Sequence, residues 1–189
     1  MHRRKLVGLA LAGLASAAGV AMAPGRAARA GTTNTAGDTA DTVPSGAAQA
    51  SPASVAFFGI TLINTSLEAV TPAEEARRRA AEDQIVAAMT DSGRFTFVDT
   101  APVAGRADLF ANLAQCNGCD SGFARDLGAD LAMTGEFQKT SNLILSFTLY
   151  LRDAQSGALI GGGSADIRGN TDDSWRRGVS YILRNRILK

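Results

Sequence analysis

Histidine is almost absent from this 189-residue chain: the single one is His2, in a basic run at the N-terminus. Ser-His-Asp and Cys-His nucleophilic sets therefore cannot be assembled from residues 31–189, and a zinc site there would lack its usual nitrogen ligand. Cysteine is nearly as scarce, with two residues, both in Cys116-Asn117-Gly118-Cys119. No second Cys-x-x-Cys exists to complete a four-thiolate zinc site. All five prolines (24, 44, 52, 72 and 102) precede Cys116, whereas thioredoxin-like catalysts carry a cis-proline loop after the pair, so the usual thiol oxidoreductase fold is excluded. Basic excess is also missing. The first 30 residues hold five of the 19 Lys and Arg and none of the 18 acids, leaving 14 against 18 and a net charge of about −4 for the rest. Phosphate backbones demand a basic, counterion-releasing surface, so nucleic acid is not the expected partner. No long apolar run follows the first 30 residues, so no integral membrane span is expected after them.

Those first residues read as an export signal. His2-Arg3-Arg4-Lys5 forms a basic start, Leu6 to Ala23 an uncharged stretch of Leu, Ala, Gly and Val, and Ala28-Arg29-Ala30 a cleavage site before Gly31. Residues 1–30 are read as a cleaved signal peptide without a lipid-anchor cysteine, and the Arg3-Arg4 pair leaves the general and twin-arginine routes both open. Residues 31–52 are rich in Ala, Thr, Gly and Ser and contain no aromatic side chain, too little apolar area to offset ordering, and read as a disordered linker. Residues 53–189 suit a single domain.

Within that domain Ser54 to Ile63 is a nearly continuous apolar run that predicts a strand covered on both faces and central in its sheet. Thr71-Pro72-Ala73-Glu74 signals a helix start, with a capping Thr, Pro at the first turn and Glu three residues on. Ala81, Ile85, Ala88 and Met89 form its inward stripe, Glu74 with Arg78 and Glu75 with Arg79 are spaced as surface ion pairs, and Arg77-Arg78-Arg79 reads as a solvated face. Phe95 to Val98 alternates as a second strand, parallel to the first through a right-handed crossover. A weak helix is predicted over Gly105–Ala114 and a short one over Ser121–Leu127, stopped by Gly128. Strands over Leu131–Lys139, Leu143–Arg152 and Ala158–Ile167 then form a meander, and a last helix opens at Asn170-Thr171. Gly161-Gly162-Gly163 has neither the Lys-Ser/Thr of a phosphate loop nor a helix behind it, and reads as a bulge or bend in the strand. Glu136, Asp153 and Asp166 read as edge or turn residues, since nothing in their spacing pairs them as acid and base.

In an oxidising compartment the pair Cys116 and Cys119 reads as a local disulfide, a four-residue ring contributing roughly 2 kcal/mol by loop closure. Its place before a short helix keeps a redox-active pair as an alternative, and two thiolates with Asp120 keep a metal or small-molecule carrier as another.

The series Phe57-Phe58-Gly59-Ile60, Ser92-Gly93-Arg94-Phe95-Thr96-Phe97-Val98-Asp99, Gly128-Ala129-Asp130-Leu131, Thr134-Gly135-Glu136 and Leu149-Tyr150-Leu151-Arg152-Asp153 resembles the amino-terminal α/β module of periplasmic TolB proteins. That resemblance implies a five-stranded mixed sheet between helices and a role in contacting other envelope proteins, although the chain is too short for the TolB β-propeller. The segments Asn64-Thr65-Ser66-Leu67, Cys116 to Cys119, Lys139 to Leu145 and Asp166 to Gly178 are similar to a family of exported proteobacterial proteins known as a domain of unknown function, which implies no activity.

The expected fold is thus an α/β three-layer sandwich: a β-α-β crossover, a three-strand meander and a C-terminal helix. The expected function is that of a non-catalytic periplasmic interaction or accessory module of a cell-envelope system, without cofactor or metal, whose partner is another periplasmic or envelope protein. The expected surface comprises Lys139, Asn142, Arg168, Asn170, Trp175, Arg176 and Arg177, with Trp175, the only tryptophan, also read as the core anchor of its helix. A carrier or a thiol-disulfide redox protein built on the Cys116 loop are the alternatives.

Overall fold

The structure, a computed structural model, describes residues 51–189. The expected signal peptide and all but the last two residues of the expected linker lie outside the described residues. The elements run β1 (Ala53–Asn64), α1 (Pro72–Asp91), β2 (Phe95–Phe97), α2 (Ala101–Ala107), a single turn Leu113–Gln115, α3 (Cys119–Asp126), β3 (Leu131–Lys139), β4 (Ile144–Asp153), β5 (Leu159–Arg168) and α4 (Asp172–Ile182), which runs on as a wider turn, Leu183–Ile187. They build the expected α/β fold with a five-stranded mixed sheet in the order β2-β1-β3-β4-β5, β1 parallel to both neighbours and the rest antiparallel. β3, not β1, is therefore the middle strand. β1 is interior but lies beside the short β2, which ends after three residues.

Alternation divides the sheet into two faces. Val55, Met133, Phe137, Phe147 and Leu149 point to one side, where Ile85 and Met89 of α1 and Val179 and Ile182 of α4 close the main core. On the other side Ala56, Ala132 and Ala154 are small enough for α3 to approach through Ala124, and Phe123, Val103 and Leu113 extend that packing. The helices cover only the β1–β3 part of this second face. Ser146 and Thr148 of β4 are half-buried, and Ser164 and Asp166 of β5 are exposed there.

Helix α1 begins as expected, with reciprocal capping between Thr71 and Glu74. Its surface pairs differ: Arg78 bonds Glu75 at 2.9 Å and Glu82 at 2.6 Å, because Glu74 turns inward. The weak helix expected over Gly105–Ala114 is displaced. Asp99 Oδ1 accepts from the Ala101 amide at 2.9 Å, which starts α2 around Pro102, and Asn112 Oδ1 caps the separate Leu113–Gln115 turn through the Ala114 amide at 3.1 Å.

The irregularity expected at the glycine run falls one residue earlier, at Ile160, while Gly161, Gly162 and Gly163 pair in register with Leu151, Tyr150 and Leu149. Register shifts beside Leu151, and Gly162 takes φ +120°. A Cβ on Gly162 would stand 2.1 Å from the Leu149 carbonyl oxygen, a backbone atom with no room to yield. Gly162→Ala should cost roughly 2 kcal/mol in urea unfolding, from strain and clash together; a cost below about 0.5 kcal/mol would show that this stretch is not fixed as described.

Candidate interaction face

Four connections meet at one end of the sheet: the loop after β1, the start of α1, the β3–β4 turn and the β5–α4 junction. Each brings a polar side chain to a common cluster. Glu74 is held locally, since its Oε2 accepts from the Thr71 amide at 2.7 Å while its own amide donates to Thr71 Oγ1 at 3.2 Å. Only 3% exposed, it also meets the Lys139 ammonium, 2.8 Å from Oε1, and the Asn170 amide, donating to Oε1 at 2.6 Å. Lys139 reaches Glu68 Oε2 at 3.3 Å, and Asn142 Nδ2 donates to that oxygen at 2.7 Å. Asn170 Oδ1 accepts from Trp175 Nε1 at 3.0 Å and from Arg77 Nη1 at 3.3 Å, while Arg77 Nε bonds Asp172 at 2.6 Å.

Burial by itself would raise the Glu74 carboxyl, but Lys139, the Thr71 amide and Asn170 outweigh it and hold the pKa at about 2. The hydrogen bond to Glu74 pushes Lys139 up against desolvation, with Glu68 adding to it.

Four of the seven expected surface residues, Lys139, Asn142, Asn170 and Trp175, thus join one intramolecular network. Lys139 and Trp175 lie beneath the surface rather than on it, because Lys139 follows Met133, Gly135 and Phe137 on the core-facing register of β3 and Trp175 stacks on Phe137. Arg168, Arg176 and Arg177 are exposed. Arg168 and Arg177 rim a cleft of about 590 Å³ along the outer edge of β5 beside α4, lined by residues 164–168 of β5 with Arg177, Tyr181 and Arg184, whereas Arg176 lies on the side of α4 that faces α1. Arg176 and Arg177 both pair with Asp173 in the first turn of α4. Beyond the cleft β5 is an edge strand, where Leu159 and Ile160 are each 56% exposed and the stem of Arg186 lies over Gly163.

Glu136, expected at an edge or turn, is buried on the opposite face. Its Oε1 accepts from Asn112 and Gln115 at 2.5 and 2.7 Å, and its Oε2 from the Tyr150 hydroxyl at 2.8 Å. Burial first, and then Glu136, push the Tyr150 phenol up to about 12. Nearby, Cys116 and Cys119 are joined as a disulfide with Cα atoms 5.6 Å apart, and Asn117 and Gly118 between them both take positive φ. Asp120 is buried and sits 3.3 Å from Arg152 Nε. No group of three or more His, Cys, Asp or Glu side chains placed to hold a metal occurs among the described residues. Also among them, no helix is long and apolar enough to cross a membrane.

No curated protein matches the chain in sequence. Solved structures similar to it include the lipoprotein GNA1162 from Neisseria meningitidis, at 16% identity and TM-score 0.46 over 64% of this chain and 84% of that one. The LpoB C-terminal domain from Salmonella enterica gives 16% identity and TM-score 0.43 over 62% and 84%. TolB from Acinetobacter baumannii, the relative expected from the sequence, gives 14% identity and TM-score 0.43 over 70% of this chain and 27% of that one. A family model matches residues 53–187, nearly the whole described domain, and the chain belongs to that family, the protein of unknown function (DUF2380).

Proposed function

We propose that the protein is a non-catalytic accessory module of a cell-envelope system that works in the periplasm and binds another envelope protein through β5 and α4. The observation that carries this reading is the open outer edge of β5 beside an arginine-rimmed cleft. An edge strand offers a row of N–H and C=O groups to an incoming extended segment, and proteins that do not use such an edge cover or shorten it. Here it runs ten residues, with exposed Leu159 and Ile160 at one end and Arg168, Arg177 and Arg184 beside the other. An extended segment with acidic side chains fits both features, its backbone adding to the sheet and its charges setting register against the arginines. The export signal read in residues 1–30 and the resemblance to TolB amino-terminal modules support the periplasmic setting.

A photo-crosslinking residue at Tyr181 in cells should yield one discrete adduct with an envelope protein, while the same residue at Leu109, exposed on the far side, should not. The pair Arg168→Glu and Arg177→Glu should weaken capture by about tenfold or more while leaving the fold intact. Equal labelling from both positions, an adduct only with a second copy of the chain, or capture indifferent to charge reversal would each sink this reading.

A further inference from the structure

On the sheet face away from α1 and α4, the disulfide loop, α3 and the β4–β5 turn enclose a recess of about 350 Å³. Asn117, Gly118, Ser121, Arg125, Arg152 and Ser156 line it, and no aliphatic side chain does. Ser121, in the first turn of α3, is only 1% exposed, and its hydroxyl has no hydrogen-bond partner among the described residues. Buried hydroxyls are seldom left so, because the lost hydration is not returned. This one opens on the recess, where the position a Cβ would take on Gly157 is 3.9 Å away.

Two guanidinium groups flank that hydroxyl, and each is pinned by only part of its donor set. Arg125 Nη1 donates to the Ala154 carbonyl at 2.7 Å, and its Nη2 lies over Gly122 without a hydrogen-bond partner among the described residues. Arg152 Nε lies 3.3 Å from Asp120 Oδ2, an ion pair in which that buried oxygen still lacks a hydrogen-bond partner among the described residues, and its Nη1 donates to the Gly157 carbonyl at 3.4 Å, which leaves its Nη2 unpaired as well among the described residues. Two carboxylates stand close by. Asp120 is buried against Arg152 and the Ser121 amide, and Asp153 is taken up by the amide and hydroxyl of Ser156, each at 2.7 Å. The N-terminal end of the eight-residue α3 adds its partial positive charge to the same space.

We propose that this recess binds a phosphate-type oxyanion, with the Ser121 hydroxyl donating from below and the free N–H groups of Arg125 and Arg152 closing over it. The chemistry is that of an anion site, prearranged donors around a small polar cavity at a helix N-terminus. The anion is either free in solution or the headgroup of an acidic phospholipid. The disulfide, by closing the loop that carries Asn117 and Gly118, fixes one wall.

The test uses the full mature chain. Inorganic phosphate, compared with chloride at equal ionic strength, should raise the melting temperature and give a saturable calorimetric isotherm, and vesicles of phosphatidylcholine with and without phosphatidic acid would show whether a headgroup is taken instead. Ser121→Ala should leave the ligand-free protein as stable or more so, yet abolish the response. Arg125→Gln, on an exposed side chain, should weaken binding about tenfold and keeps the test decisive should the serine variant fail to fold. A response in either arm that both substitutions reduce supports the site. No response in either arm, an equal response to chloride, or binding unchanged in both variants overturns it.

Discussion

Replacing Lys139 with methionine should cost about 3 to 5 kcal/mol, as expected when one partner of a buried ion pair is removed and the other is left. The substitution is close to isosteric, so packing against the neighbouring Phe137 and Leu145 would change little. What remains is Glu74, 3% exposed, still bonded by Thr71 and Asn170 but with no cation beside it. Glu74→Gln alone should cost less, because Lys139 keeps Glu68 at 3.3 Å on its more exposed side. The double variant should recover much of the loss, and urea unfolding of the four proteins would give the coupling directly. If Lys139→Met costs under about 1 kcal/mol, the cluster is solvated and not the clasp described above.

The same pair dictates how stability follows pH. The Glu74 carboxyl titrates near 4.5 in the unfolded chain and at about 2 in the folded one, so on acidification the unfolded state takes up its proton first. Its contribution is complete above about pH 4.5 and is lost as pH falls toward 2, on the order of 2 to 3 kcal/mol. Lys139 acts at the other limit. Raised above 10.5, it contributes fully below that value and loses its contribution as pH rises through the higher folded one. Unfolding measured from pH 7 down to 2 should therefore show a steep acid limb in the wild type and a shallower one in Glu74→Gln.

Much of this architecture could be read from the chain because its signals are local. The Thr71–Glu74 cap, the strand over Leu143–Arg152 and the irregularity at the glycine run depend on residues within a turn or a strand of each other, and the structure places each within about a residue of its pattern. Rank within the sheet is not a local property: the apolar run of β1 marks an interior strand, which it is, but β3, β4 and β5 all add on one side of it and only β2 on the other. The polar clusters were less legible for the same reason. Asn170 meets Glu74 across 96 residues and Asn112 meets Glu136 across 24, so neither carboxylate differs in sequence from a surface acid. Lys139 carried a usable clue, since strict alternation along β3 puts it on the core side. Ser121, Arg125 and Arg152 had none, because an empty space between three elements leaves no mark in any one of them.

Trp175→Ala should be about as damaging as Lys139→Met, at roughly 3 to 5 kcal/mol, and the reason lies in two kinds of contact made by one side chain. The indole stacks on Phe137 with centroids 3.7 Å apart and planes at 15°, and Phe137 stacks in turn on Phe147 at 4.5 Å. That column pins the start of α4 to the middle of the sheet. The indole N–H meanwhile donates to Asn170 Oδ1, whose amide holds Glu74, so truncation opens a cavity in the core and loosens the polar clasp together. Trp175→Phe separates the two: it keeps most of the stacking and should cost only about 1 to 2 kcal/mol, the worth of the hydrogen bond and the lost ring area. As the only tryptophan in the chain, Trp175 also supplies the readout, with blue-shifted emission in the folded protein that moves red on unfolding. A direct contact role would give the opposite pattern, namely native stability in Trp175→Ala with loss of the Tyr181 adduct. The burial of the ring predicts that the adduct is lost only when the fold is, whereas charge reversal at Arg168 and Arg177 removes the adduct and leaves the emission spectrum where it was.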